Sequence, residues 1–198
     1  MWGFLLPLSI FIVMKIKVII TEEQFSMVEH YLSSIDPKMK ILKIDVIDGP
    51  NEWSKKREKL IRMVLDLRDM EELPSDKMEG FYERMVEMIP SLYEHRCSPG
   101  YKGGFFERVK EGTWMGHIVE HIALELQTLA GMDVGWGRTR GIGDYGIYNV
   151  IFNYICPEVG EYAAEASVNI VESLITGDKY DLTEDIQTMK ELKEDKCN

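Results

Sequence analysis

Two histidines one helical turn apart, His117 and His121, with Glu120 beside the second, form the most chemically suggestive stretch of the chain. On a helix, positions 117 and 121 project the same way, so two imidazoles can grip one metal ion. Glu120 lies on the neighbouring edge of that face, where it could hold a water on the metal and take its proton. Two of only four histidines in the 198-residue chain fall at this spacing. Short motifs also arise by chance, and the competing reading is a buried helix whose histidines bond to neighbours while Glu120 reaches solvent.

The H-x-x-E-H order resembles the inverted zincin motif of inverzincin peptidases such as pitrilysin and insulysin. Catalytic zinc takes three protein ligands and keeps one position open. The third ligand is not obvious from spacing. His95 is the favoured candidate, from Tyr93-Glu94-His95-Arg96-Cys97; on a strand, Glu94 and His95 would face opposite ways, so only one could serve. The inverzincin resemblance points instead to a downstream helical glutamate, Glu165 or Glu172. Those two share a polar helix side with Glu161 and Asn169 that also reads as a solvated face.

Other groups carry weaker signals. Cys97, two residues from His95, has no evident orienting third group and reads as a structural thiol rather than a nucleophile. The run Gly100 to Gly104 matches no phosphate-binding loop and reads as a tight turn. Arg138 and Arg140, set among Gly137 and Gly141, suit forked contacts with carboxylates.

The elements that must position these groups follow from pattern. Residues 16–20 read as a strand followed by a helix that Thr21 and Gln24 would cap. Ile41 to Asp48 reads as a strand ending at Gly49-Pro50. Residues 53–67 are ambiguous, with a helical start and a strand-like Met63-Val64-Leu65. Ser75 is expected to cap a helix to Ile89, with Pro90 as its stop. The clearest helix runs from about Thr113 to Ala130, with Trp114, Ile118, Ile122, Leu126 and Leu129 on one stripe and Gly131 after it. Ile147 to Ile155 reads as a buried strand, Glu158 to Ile175 as a core helix, and residues 178–198 as a charged, solvated helix or linker. Helices and strands without regular alternation predict an α+β fold, an antiparallel sheet with helices packed mainly on one face.

Composition narrows the function classes. With 45% hydrophobic residues the chain can bury one core. A formal charge of −11 argues against nucleic-acid binding, which needs a basic surface. The acidic surface keeps the protein soluble and would also attract cationic, arginine-rich ligands. Three scattered cysteines, Cys97, Cys156 and Cys197, do not read as a disulfide framework and fit a reducing cytoplasm. The apolar stretch Met1 to Met14 lacks the features of a secretory signal and is short for a membrane span. Three readings stand, a weak interfacial anchor, a buried strand and a stretch translated from upstream of the natural start, and the last is favoured.

Several segments together resemble the N-terminal domain of cyanophycin synthetases: Gly49-Pro50-Asn51-Glu52-Trp53-Ser54, Gly80-Phe81-Tyr82-Glu83-Arg84, Tyr93 to Gly100, Gly103 to Gly112, Thr113 to Gly131, and Gly135 to Arg140. The resemblance covers residues 39–177. It leaves 1–38 as an extension and 178–198 as a linker toward an ATP-grasp domain. It implies a cytoplasmic protein whose partner is cyanophycin, a polymer with an aspartate backbone and arginine branches. Within such enzymes the ATP-grasp and Mur-ligase-like domains carry ligation, so this chain is not expected to ligate alone; a homo-oligomer is compatible with the resemblance. The N-terminal domain is implicated in holding the polymer and, in some members, in cutting it as a metal-dependent hydrolase to make primers. Carried onto this sequence, the resemblance assigns His117 and His121 to zinc, Glu120 to the base, and Arg138 to substrate. Arg140 and Glu94 join Arg138 as expected substrate contacts. The rival expectation is a non-catalytic binding or scaffolding domain, with no membrane or nucleic-acid partner in either case.

Overall fold

The structure is a computed structural model that describes residue 36, residues 38–48 and residues 59–197. The expected strand at 16–20, its capped helix, the apolar N-terminal stretch and most of the extension lie outside the described residues.

The alternating and β-branched segments form a four-stranded sheet: β1 (Lys40–Ile47), β2 (Leu60–Asp66), β3 (Gly137–Gly141) and β4 (Ile147–Asn153). The order is β1-β2-β4-β3, and every neighbouring pair is antiparallel. The ambiguous segment 53–67 therefore resolves, over its described part, as strand. β2 sits inside the sheet, and its Leu60, Ile61, Met63 and Leu65 are fully buried. That burial outweighs any local helical tendency.

Five helices accompany the sheet among the described residues: α1 (Phe81–Met88), α2 (Gly104–Glu111), α3 (Met115–Leu129), α4 (Pro157–Thr176) and α5 (Leu182–Lys196). α3 packs against β3 and β4, α4 against β1 and β2, and α5 against α3 and α4. This is the expected α+β class. Because α3 packs against the sheet, α4 and α5 together, it is buried nearly all round rather than along one stripe. Trp114, placed on that stripe by spacing, instead precedes the helix and stays exposed.

Two local expectations are corrected. Ser75 does not cap α1. Its hydroxyl donates to Val109 O and accepts from Thr113 N, tying a short 3-10 turn to the start of α3, and Gly80 occupies the N-cap with φ 69°. The cysteines do include a disulfide: Cys156 and Cys197 are bonded, with Cα atoms 5.3 Å apart and a sequence separation of 41. Cys156 is the N-cap of α4 and Cys197 the C-cap of α5. The two helices pack together, so the start of one meets the end of the other, which spacing in sequence cannot show.

The charged tail is accordingly a docked helix. Asp181 caps α5 by accepting from Thr183 N at 2.9 Å. Met189 is buried, and Asp185 accepts from Tyr162 Oη at 2.9 Å. No helix among the described residues is long and apolar enough to cross a membrane.

Candidate metal and hydrolytic site

α3 carries His117, Glu120, His121 and Glu125 toward a cavity of about 720 Å³ between the helix, the loop at 94–98 and the stretch 134–139 leading into β3. His117 and His121 are one turn apart as the helical reading requires. Cys97 joins them: its thiol and one nitrogen from each histidine all lie within 4.8 Å of one another. Cys97 Sγ stands 3.3 Å from His117 Nε2.

The loop that delivers Cys97 is held from two sides. His95 ends the 3-10 turn Pro90–Glu94, so the segment is not the strand on which Glu94 and His95 would alternate. Gly104, the first residue of α2, lies against Arg96 O so closely that a Cβ there would come within 2.4 Å of that oxygen. The glycine-rich bend thus lets α2 press on the loop, which is the role its residues serve. Cys97 itself sits at φ 52°, a left-handed conformation that costs a non-glycine residue energy.

Burial sets the protonation states. It pushes His117 down to about 4, with the Arg108 charge adding to the effect. It also pushes His121 well below the usual imidazole range, reinforced by His117 and His95. Both rings are therefore neutral near pH 7, the state in which imidazole binds metals. A neutral His117 supplies no imidazolium to stabilise a thiolate, so the Cys97–His117 pair lacks what a thiol nucleophile needs.

Ring orientation is controlled from behind. Thr113 Oγ1 lies 2.9 Å from His117 Nδ1, which leaves Nε2 toward Cys97. Phe105 stacks on His121 with centroids 4.0 Å apart. His95 Nδ1 is 2.8 Å from His121 Nδ1, and His95 Nε2 is 2.7 Å from Glu125 Oε2. Both nitrogens of His95 are thus engaged, and it stands behind His121 rather than within the Cys97, His117, His121 cluster.

Glu120 faces β3. Thr139 Oγ1 donates to its Oε2 at 2.7 Å, and Gly137 leaves the room its carboxylate fills. Burial raises Glu120 to about 7, opposed by the Thr139 hydrogen bond and the Arg138 charge. A carboxyl poised there can both take and return a proton near neutral pH.

The remaining sequence candidates divide. Arg138 and Glu94 line the cavity, while Arg140 does not. Glu94 pairs with Lys102 at the surface. Glu165 is exposed on α4, outside the cavity lining. Glu172 accepts from Lys38 Nζ at 2.7 Å and Met39 N at 2.8 Å, fastening the entry to β1. Sequence reasoning set Cys97 aside and gave Glu125 and Thr139 no role. The nearness of Cys97 to His95 in sequence is the available signal for the first.

The donor set suits zinc: one thiol sulfur and two neutral imidazoles, with a carboxyl alongside and space for a further ligand.

An antiparallel α+β domain with such a cluster on its central helix defines the class, and comparison with known proteins defines the family. Residues 62–176 match the cyanophycin synthase-like N-terminal domain, and the chain belongs to that family. It is 55% identical over 160 residues to the cyanophycin synthetase of Geminocystis herdmanii (strain PCC 6308), covering 81% of this chain and 18% of that protein. It is 52% identical over 160 residues to that of Crocosphaera subtropica (strain ATCC 51142 / BH68), covering 81% and 18%. For that of Synechocystis sp. (strain ATCC 27184 / PCC 6803 / Kazusa) it is 52% over 156 residues, covering 79% and 18%. The chain therefore spans under a fifth of the length of these relatives.

Proposed function

We propose that this chain is a zinc-dependent hydrolase domain that cuts the cyanophycin backbone internally and so supplies primers for a cytoplasmic synthetase. The carrying observation is the convergence of Cys97, His117 and His121 beside a buried Glu120 in one cavity. His117, His121 and Cys97 would hold the ion, with His95 behind His121. When bound, zinc supplies a Lewis acid that polarises an amide carbonyl and acidifies water.

The chain's own residues carry the proton. Glu120 accepts one from the attacking water as the carbon–oxygen bond forms. It returns that proton to the leaving amide nitrogen as the carbon–nitrogen bond breaks, giving a carboxylic acid and an amine. Thr139 fixes the carboxylate toward β3 during both transfers. Arg138 offers its charge to backbone or chain-end carboxylates, with Arg140 further along the strand. Glu94, at the exposed rim, suits the guanidinium branches. ATP-grasp and Mur-ligase-like domains would receive the new ends.

The test is purified protein incubated with cyanophycin, with and without stoichiometric zinc, alongside Glu120→Gln. Shortened polymer with zinc alone, and none from the variant, is the expected result. Polymer binding with no metal and no cleavage would make the domain a tether instead.

A further inference from the structure

Glu125, His95 and His121 form a continuous chain that the proton transfers above do not use. Glu125 and His121 are one turn apart on α3, and His95 reaches in from the 90–94 turn to join them. The Glu125 side chain is 5% exposed and that of His95 16%, so water does not compete strongly for these bonds.

We propose that Glu125 and His95 form a positioning relay that fixes His121 as its Nδ1–H tautomer and leaves Nε2 as the free lone pair for a metal. The inference rests on the zinc reading of the cavity, but its logic is hydrogen-bond parity.

A carboxylate only accepts, so the His95 nitrogen 2.7 Å from Glu125 carries a proton. A neutral imidazole has one N–H, so the other His95 nitrogen, Nδ1, must accept. Its partner 2.8 Å away is His121 Nδ1, which therefore donates. The reverse order would leave His95 Nε2 and the carboxylate lone pair to lone pair. A doubly protonated His95 is the remaining arrangement, and it would put the His121 proton on Nε2, the wrong nitrogen for a ligand. Phe105 stacked on His121 resists a ring flip that would put carbon Cδ2 in place of Nδ1 opposite His95.

The two histidines are thus held unequally. His117 rests on the Thr113 hydroxyl, a rotor that donates or accepts. His121 is set by a carboxylate through a second ring, an arrangement that raises ligand basicity as well as fixing orientation. His95 as a direct ligand would need a nitrogen released from one of these bonds.

The test begins without metal. Long-range nitrogen–proton NMR of the metal-free protein at pH 7.5 should show His121 protonated at Nδ1 and His95 at Nε2. His121 protonated at Nε2, or a doubly protonated His95, would overturn the relay.

Zinc competition then reads its consequence. His95→Phe, checked for folding by near-ultraviolet circular dichroism, should bind zinc about 10- to 100-fold more weakly and lose the tautomer bias. Glu125→Gln keeps an acceptor oxygen, so it should keep the tautomer and lose only a few-fold in affinity. A folded His95→Phe that binds within twofold of the parent sinks the proposal. If the parent binds no zinc, the zinc reading fails, and the metal-free spectrum alone decides the relay.

Discussion

Gly137 and Glu120 occupy adjoining space: a Cβ on Gly137 would lie 2.6 Å from Glu120 Oε1 and 2.7 Å from its Cγ. The carboxylate is wedged between strand and helix, with Thr139 two residues along β3 holding its other oxygen. Replacing Gly137 by Ala should push that carboxylate away from its seat. Because Gly137 has no unusual φ that alanine must avoid, the protein should still fold. We expect cleavage of cyanophycin to fall at least about tenfold with zinc content unchanged, since a misplaced base loses catalysis faster than binding. Chain-length analysis of the polymer and metal analysis of the same sample check this.

Glu120 should also announce itself in the pH dependence of stability. Its folded value of about 7 lies above the unfolded 4.5, so between these pH values the folded state keeps a proton that the unfolded state has lost. Stability therefore falls as pH rises through that window. Glu120→Gln removes the titration, so the metal-free variant should gain several degrees in melting temperature over the parent at pH 8 and little at pH 4. Equal melting temperatures at both pH values would contradict the raised value.

Cys97 separates a ligand from a structural residue unusually well. Its φ of 52° suits glycine, so Cys97→Gly should melt at or above the parent's temperature. The same change removes a ligand, and zinc affinity should fall on the order of a hundredfold or more, beyond the 10- to 100-fold typical of losing a supporting residue. Calorimetry and a zinc-competition assay on one preparation give both numbers.

The Cys156–Cys197 bond predicts one reactive thiol per chain under native oxidising conditions and three after denaturation with reductant, since Cys97 is the sole free cysteine. Closing a 41-residue separation is worth about 4 kcal/mol in the chain-entropy picture. Cys197→Ser should lower stability by that order and free the end of α5 first. Thiol titration and denaturant melts are the measurements.

The histidine pair, Glu120 and the helix that carries them were legible from spacing, because a helical period acts within one segment and needs no partner. The same holds for β4 and α4, whose apolar runs suit burial wherever they land. The α1 cap was misread for the opposite reason. Ser75 spends its hydroxyl on Val109 and Thr113, partners about 35 residues away, and a capping rule sees only the next three.

What the sequence determined by itself is the local chemistry: two imidazoles and a carboxyl on one helical face, within a segment order that resembles one family. Tertiary structure decided which groups complete them. Cys97 reaches the site because Gly104 lets α2 press on its loop, and His95 stands behind His121 because both its nitrogens find partners on α3. Those relations depend on how separate elements pack, and packing is set by the whole core rather than by any stretch short enough to carry a motif.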